Sequence, residues 1–143
     1  MSDPYNLHRF VEAQAGVFDT ALAELKLGSK QTHWMWFIFP QLAGLGRSST
    51  ARYYGMGSED EARGYLQHAL LGSRLRQSVE AVLPWAGKRN AERIFGSIDA
   101  LKMQSSMTLF DVIDPGGPFA KLLDDFYGGG RDERTLALLN GEE

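Results

Sequence analysis

The chain has 143 residues and a formal net charge of −3, with 43% hydrophobic and 23% charged residues. This length and composition predict one compact domain over 1–143 that needs no disulfide or metal to hold its core. Cysteine is absent, which excludes disulfides, a thiol nucleophile and cysteine-based zinc sites, and the acidic balance argues against nucleic acid as a partner.

The first predicted element is a helical region from about Leu7 to Leu25. Its apolar residues recur three and four positions apart, as one face of a helix requires. Asn6 is its expected N-cap, and Gly16 is expected to split or kink it. Gly28 is a natural helix stop.

The next segment, Lys30–Phe39, ends in aromatic residues and is followed by Pro40. The aromatics would also suit a strand, but the helical neighbours and the proline favour a helix. A helix that is apolar nearly all round is a buried one. We therefore expect this segment at the centre of the core.

Further helices follow an irregular stretch over 40–57. Ser58 and Glu61 predict a capping box that opens a helix to about Leu71, where Gly72 ends it. The later helices are expected over about 73–83, 90–95, 97–113 and 119–127, and a last one capped by Asp132 ends near 139. Together these elements predict an all-α, irregular helical bundle of about six to eight helices.

Two groups of polar residues share a predicted helix face with apolar ones. On the first helix they are Lys30 and His33, beside Trp34. Either they form a satisfied structural network, or they line a pocket in which a cation binds an anion and Trp34 or Trp36 stacks on a planar ring. On the second helix Asp99 and Lys102 are one turn apart; they form either an ordinary ion pair or part of a serine-lined cavity.

The loop 44–48, Gly-Leu-Gly-Arg-Ser, is similar in composition to phosphate-binding glycine loops. It lacks the third glycine and a preceding strand. A flexible loop with an exposed Arg47 is the plainer interpretation, although Arg47, Ser48 and backbone amides would suit a phosphate.

The block Lys-x-x-His-Trp-Met-Trp-Phe-Ile-Phe-Pro-Gln over 30–41, with the loop over 44–48, resembles the signature of an uncharacterised bacterial family. Glu61-Ala-x-x-Tyr65-Leu and the stretch from Phe95 to Phe110 fit the same pattern. Its members are all-helical single domains often mislabelled "calpastatin". That label is unsuitable, because such an inhibitor is disordered and polar, whereas 11% of this chain is aromatic. The resemblance implies a mainly helical fold and no established function.

A fainter similarity is to helical proteins that cleave N-glycosidic bonds in ADP-ribose-type metabolites. Two stretches suggest it, Glu-Ala-x-x-Tyr-Leu over 61–66 and Lys-x-x-Ser-Ser-Met over 102–107. It implies an enzyme, but the sequence leaves open whether the chain is an enzyme at all.

The leading hypothesis is a small anionic or nucleotide-like ligand held between segments 30–48 and 97–110. The candidate ligand-binding residues are Lys30, His33, Trp34, Trp36, Gln41, Arg47, Ser48, Glu61, Tyr65, Asp99, Lys102, Ser105 and Ser106. If there is catalysis, His33, Asp99 and Lys102 are the candidate catalytic residues. The alternative is a non-catalytic protein-interaction module in which the same groups form a buried network and Tyr53 and Tyr54 mark a partner surface.

The expected compartment is the cytoplasm. The first five residues lack the basic and apolar regions of a secretory signal, and the longest apolar run, Trp34–Phe39, is far below the roughly 20 residues of a membrane span. The histidines His8, His33 and His68 are widely separated. We therefore predict that the chain binds no metal. We also predict no cofactor and no membrane or nucleic-acid partner, and we leave open whether it has a protein partner.

Overall fold

The computed structural model describes residues 3–141, which form ten α-helices and no β-sheet, and this confirms the predicted all-α class. The helices are α1 (His8–Gln14), α2 (Phe18–Lys26), α3 (Met35–Ile38), α4 (Ser49–Tyr54), α5 (Glu59–Gln67), α6 (Ala69–Val82), α7 (Ala91–Phe95), α8 (Ser97–Ile113), α9 (Pro118–Tyr127) and α10 (Glu133–Leu139). A 3-10 turn covers Leu83–Trp85. None of the described helices combines the length and apolar character needed to cross a membrane.

The first helical region is split at Gly16, as predicted, but its predicted cap is wrong. Asn6 has a φ of 51°, in the left-handed region, and does not cap α1. The residue that caps α1 is Asp3, whose carboxylate accepts the N–H of Leu7 at 2.8 Å and that of His8 at 3.0 Å. These bonds lower the pKa of Asp3.

The Lys30–Phe39 segment is central to the core but is not one helix. Only Met35–Ile38 is helical, while Trp34 and Phe39 are fully buried. The residues before α3 are held out of a helix because Glu24, on α2, accepts the backbone N–H groups of Gln31 and Thr32. The predicted helical stripe through residues 30–37 therefore does not exist. Where side chains of this segment lie close together, a helical spacing is not the reason.

The boundary between α5 and α6 lies at His68, not at Gly72 as predicted. The His68 Nδ1 atom accepts the N–H groups of Leu70 and Leu71, each at 3.2 Å, and so caps α6. Gly72 lies inside α6, where a Cβ would overlap the carbonyl oxygen of Leu66. The glycine therefore permits a close approach and does not end a helix.

Half of the predicted capping box at α5 is present. Ser58 Oγ accepts the Glu61 N–H at 3.1 Å, as expected. Glu61 does not reach back to the Ser58 N–H; its carboxylate accepts the Gly57 N–H at 3.0 Å and pairs with Arg9. A buried cation far away in the chain competes for this side chain, and the local motif does not reveal it.

The longest helix, α8, packs against α5, α7, α9 and α10. Its middle is buried from Met103 to Phe110 apart from Gln104. Its first turn, after Gly96, emerges from the core beside residues 30–36. One helix, α8, thus extends from the core to the surface, and its exposed first turn forms part of the candidate site.

Candidate functional site

Five of the predicted site residues line one open cavity of about 340 Å³, which we call the lysine cavity. It lies between the segment 30–36 and the turn that joins α7 to α8. Its lining residues are Lys30, His33, Met35, Trp36, Phe95, Gly96, Ser97, Ile98, Asp99 and Lys102. Of the segments 30–48 and 97–110 that were predicted to form a pocket, only the parts over 30–36 and 97–102 line this cavity.

Two lysines share one carboxylate in this cavity. Lys30 Nζ lies 2.9 Å from Asp99 Oδ2, and Lys102 Nζ lies 3.6 Å from Asp99 Oδ1. The side chains of Lys30, Asp99 and Lys102 are 8%, 19% and 27% exposed. Lys30 is thus a nearly buried partner of Asp99, whereas Lys102 makes a longer contact and reaches solvent.

Both ammonium groups also lie over indole rings. Lys30 Nζ is 5.1 Å from the centroid of Trp34, and Lys102 Nζ is 4.9 Å from that of Trp36. A cation over an indole face is favourable because the ring carries negative charge on its face. These contacts, together with the shared Asp99 carboxylate, hold both lysines beside the start of α3.

The segment that carries Lys30 and His33 is positioned by Glu24. This carboxylate is 8% exposed and accepts four hydrogen bonds: from the Gln31 N–H at 2.7 Å, from the Thr32 N–H at 3.0 Å and hydroxyl at 2.7 Å, and from Trp34 Nε1 at 3.0 Å. Burial alone would raise the pKa of Glu24, but these four bonds outweigh it and lower the pKa to about 2.

A backbone bond ties the same segment to the other wall of the cavity. The Lys30 N–H donates to the Ile94 carbonyl in α7 at 2.8 Å. The two walls are therefore joined by this bond and by the Lys30–Asp99 ion pair.

Trp34 does not line the lysine cavity. Its side chain is fully buried and its indole N–H is held by Glu24. The expectation that Trp34 could stack on a ligand is therefore wrong, while Trp36 is half-buried and lies in the wall.

The remaining candidates of segment 30–48, which are Gln41 and the glycine-loop residues Arg47 and Ser48, lie outside the cavity as well. Ser48 caps α4 by accepting the Ala51 N–H at 3.1 Å, and Arg47 is exposed on the loop. Gln41 borders a separate narrow crevice beside Trp36. None of the three lines the lysine cavity, so the loop does not complete that site.

Glu61 and Tyr65 belong to buried networks. Glu61 forms a 2.6 Å ion pair with Arg9, whose guanidinium also donates to the carbonyls of Tyr5, Asn6, Tyr53 and Gly55. Tyr65 is fully buried, and burial raises the pKa of its hydroxyl. That hydroxyl accepts a hydrogen bond from Gln14 at 3.0 Å.

Ser105 and Ser106 also face the interior. Ser105 Oγ donates to the Leu101 carbonyl at 3.2 Å and lies 3.2 Å from the Asp132 carboxylate at the start of α10. Ser106 is fully buried, and among residues 3–141 its hydroxyl has no hydrogen-bond partner. The predicted serine lining of the cavity is therefore wrong; Ser97, not these two, reaches it.

The sequence reasoning missed Glu24 and Arg9. Glu24 shares the buried side of α2 with Ala21 and Leu25, so a carboxylate on an apolar stripe was the available signal. Arg9 is next to the buried Phe10 and offered no comparable periodic signal. For metals, residues 3–141 contain no group of three or more histidine and acidic side chains placed to bind one.

Comparisons with known proteins agree with the family resemblance. The family described as "Protein of unknown function (DUF1810)" matches residues 4–139. The crystal structure of the conserved hypothetical protein Rv1873 from Mycobacterium tuberculosis is 51% identical, with a TM-score of 0.93, over 96% of this chain and 99% of that chain. No curated protein matches the chain. The chain therefore belongs to the DUF1810 family.

Proposed function

We propose that this protein binds a small anionic ligand in the lysine cavity. The observation that carries the proposal is that two ammonium groups meet one carboxylate at an open cavity. Asp99 balances one positive charge, and the nearer lysine, Lys30, takes the tight contact. The charge of Lys102 is left largely available to an anion entering from solvent.

The other walls of the cavity suit such a ligand. His33 is exposed beside the two lysines, and an imidazole can donate a hydrogen bond to an anion or exchange a proton with it. Trp36 offers an aromatic surface next to Lys102. For the case of turnover, we propose His33 or Asp99 as the proton-transfer group.

The test is an NMR titration of labelled protein with inorganic pyrophosphate, following the indole protons. We expect saturable shifts at Trp36 and smaller ones at the buried Trp34. Lys102→Ala should weaken binding at least tenfold, because it removes the more accessible charge. Lys121→Ala is the matched control: this lysine on α9 is 63% exposed and pairs with Asp125.

A flat titration at Trp36, or equal affinity in Lys102→Ala and in the unchanged protein, would refute the proposal. Both variants must first give the dispersed spectrum of a folded chain, so that loss of binding is separated from loss of structure.

One observation favours the alternative of a non-catalytic interaction module. The polar groups around Arg9 already bond to one another inside the protein. Tyr53 is 55% exposed, and its ring lies edge-on to that of Tyr54, with 4.8 Å between the ring centroids. The alternative of an N-glycosidase has less support, because Glu61 and Tyr65 lie in the core networks. The cytoplasmic location and the lack of a nucleic-acid partner stay predictions.

A further inference from the structure

A second cavity of about 360 Å³ adjoins the first one on the other side of the start of α8. We call it the aromatic cavity, because Phe126 and Tyr127 of α9 form one wall. Leu101 and Gln104 of α8 form another. Ser97 lines both cavities, so they meet at the first residue of α8.

The two cavities have different chemistry. Among residues 3–141, no lysine or arginine lines the aromatic cavity, and the charged side chain in its lining is the carboxylate of Glu92. An anion is therefore disfavoured there, while a flat uncharged ring would be covered by aromatic and aliphatic carbon. Gln104 Nε2 is fixed on the Gly130 carbonyl at 3.1 Å, and the oxygen of the same amide can accept a hydrogen bond from a ring.

The ridge between the cavities is unusually apolar for a surface. Ile98 lines the lysine cavity and is 71% exposed; Leu101 lines the aromatic cavity and is 67% exposed. They are three residues apart on α8 and so lie on the same side of the helix. A ligand that crosses this ridge would remove apolar area from water on its way from one cavity to the other.

We infer that the two cavities take the two ends of one ligand, a phosphorylated compound with an uncharged planar ring. The inference depends on the proposed function, because the phosphoryl end occupies the lysine cavity. The ring occupies the aromatic cavity, and the linker between the two ends passes Ser97 alongside the apolar ridge of Ile98 and Leu101. Nucleoside phosphates are the common compounds of this class.

The experiment compares pyrophosphate, adenosine and ADP on the full chain, with isotope-labelled methyl groups. ADP should bind about tenfold tighter than pyrophosphate, since it adds the contacts of the ring. Pyrophosphate should shift only signals of the lysine cavity. ADP should in addition give nuclear Overhauser effects from the adenine protons to the methyl groups of Leu101 and Ala100.

A pair of variants separates the ring contact from general surface effects. Leu101→Gln should reduce the affinity for ADP to near that for pyrophosphate and leave pyrophosphate binding unchanged. Leu27→Gln is the matched control, because Leu27 is 71% exposed and lines neither cavity. It should leave both affinities as they are.

Two results overturn the inference and they differ in what else they affect. If pyrophosphate binds but ADP is no tighter, or its adenine protons contact Trp36 and not Leu101, the two-cavity ligand is wrong and the proposed function survives. If none of the three compounds binds, both fail.

Discussion

Glu24 shows how a single buried charge can determine where a site forms. Its side chain is nearly inaccessible, yet it stays ionised because two backbone N–H groups, a hydroxyl and an indole N–H donate to it. Those donors belong to residues 31–34, between Lys30 and Trp36. Glu24 therefore contacts no ligand but fixes the conformation of the segment that forms one wall of the lysine cavity.

This arrangement predicts a pH-dependent contribution to stability. The pKa of Glu24 is about 2 in the folded chain and 4.5 as its ordinary value. The contribution is therefore complete above pH 4.5 and is lost as the pH falls through about 2. A difference of this size corresponds to about 3 kcal/mol.

Glu24→Gln should lower the free energy of unfolding by about that 3 kcal/mol at pH 7, and by progressively less as the pH falls from 5 toward 2. Urea unfolding at several pH values measures both effects. Glu12→Gln, at an exposed position on α1, should change stability by less than about 0.5 kcal/mol throughout. A Glu24→Gln effect that is independent of pH would contradict this account.

At the scale of the helix, two glycines inside neighbouring helices differ in the space around their Cα atoms. A Cβ on Gly72 in α6 would overlap the Leu66 carbonyl oxygen, which is backbone and cannot easily move away. A Cβ on Gly64 in α5 would meet Tyr5 and Leu7 side chains at 3.6–3.7 Å, an ordinary contact distance. One glycine is required by packing and the other is not.

Replacing these two glycines by alanine, one at a time, should therefore change the free energy of unfolding in opposite directions. Gly72→Ala should destabilise the protein by about 1–3 kcal/mol through overpacking at the α5–α6 junction. Gly64→Ala should stabilise it by about 0.5–1 kcal/mol, because alanine restricts the unfolded chain and favours the helix. Thermal unfolding of both variants decides this; a lower melting temperature for Gly64→Ala or a higher one for Gly72→Ala would show the packing analysis to be wrong.

The sequence predicts an element well when the hydrogen bonds that define it join residues a few positions apart. Although Asn6 does not cap α1, two of the predicted caps are correct, since Ser58 accepts the N–H of Glu61 and Asp132 that of Thr135. Their partners are three residues away, so the pattern contains the whole interaction. The predicted helix over Lys30–Phe39 fails because Glu24, outside the segment, competes for its backbone.

At the scale of the whole molecule, one cluster of buried apolar residues extends from Leu7 to Leu123. Arg9 adds polar links between the first helix, the segment over 53–55 and α5. Such shared burial is the basis of cooperative unfolding, because no part can expose its apolar side alone at low cost.

The predicted single domain over 1–143 is therefore testable in solution. Far-UV circular dichroism and tryptophan fluorescence should give one coincident unfolding transition in urea, and the calorimetric and van't Hoff enthalpies should agree. Two separated transitions, or a calorimetric enthalpy well above the van't Hoff value, would show that the chain contains independently unfolding units.

The candidate site was predictable in part. The meeting of Lys30, His33 and Trp36 with Asp99 and Lys102 follows from polar residues set among apolar ones, which need partners. Ser105 and Ser106 were misplaced because the first turn of α8 is exposed whereas its middle is buried apart from Gln104, a change that spacing cannot reveal. Trp34 was misplaced because its buried partner, Glu24, lies on another helix.

The bond between Glu24 and the Trp34 indole has an optical consequence. Excitation of an indole moves electron density from the pyrrole ring toward the benzene ring, and a negative charge at the pyrrole nitrogen stabilises that displacement. We therefore expect Trp34, although fully buried, to emit at longer wavelength than a tryptophan in an uncharged apolar core. The electric field at this indole, to which the Glu24 carboxylate and the Lys30 ammonium 5.1 Å from the ring centroid both contribute, should therefore be measurable as a shift in the ultraviolet emission of Trp34.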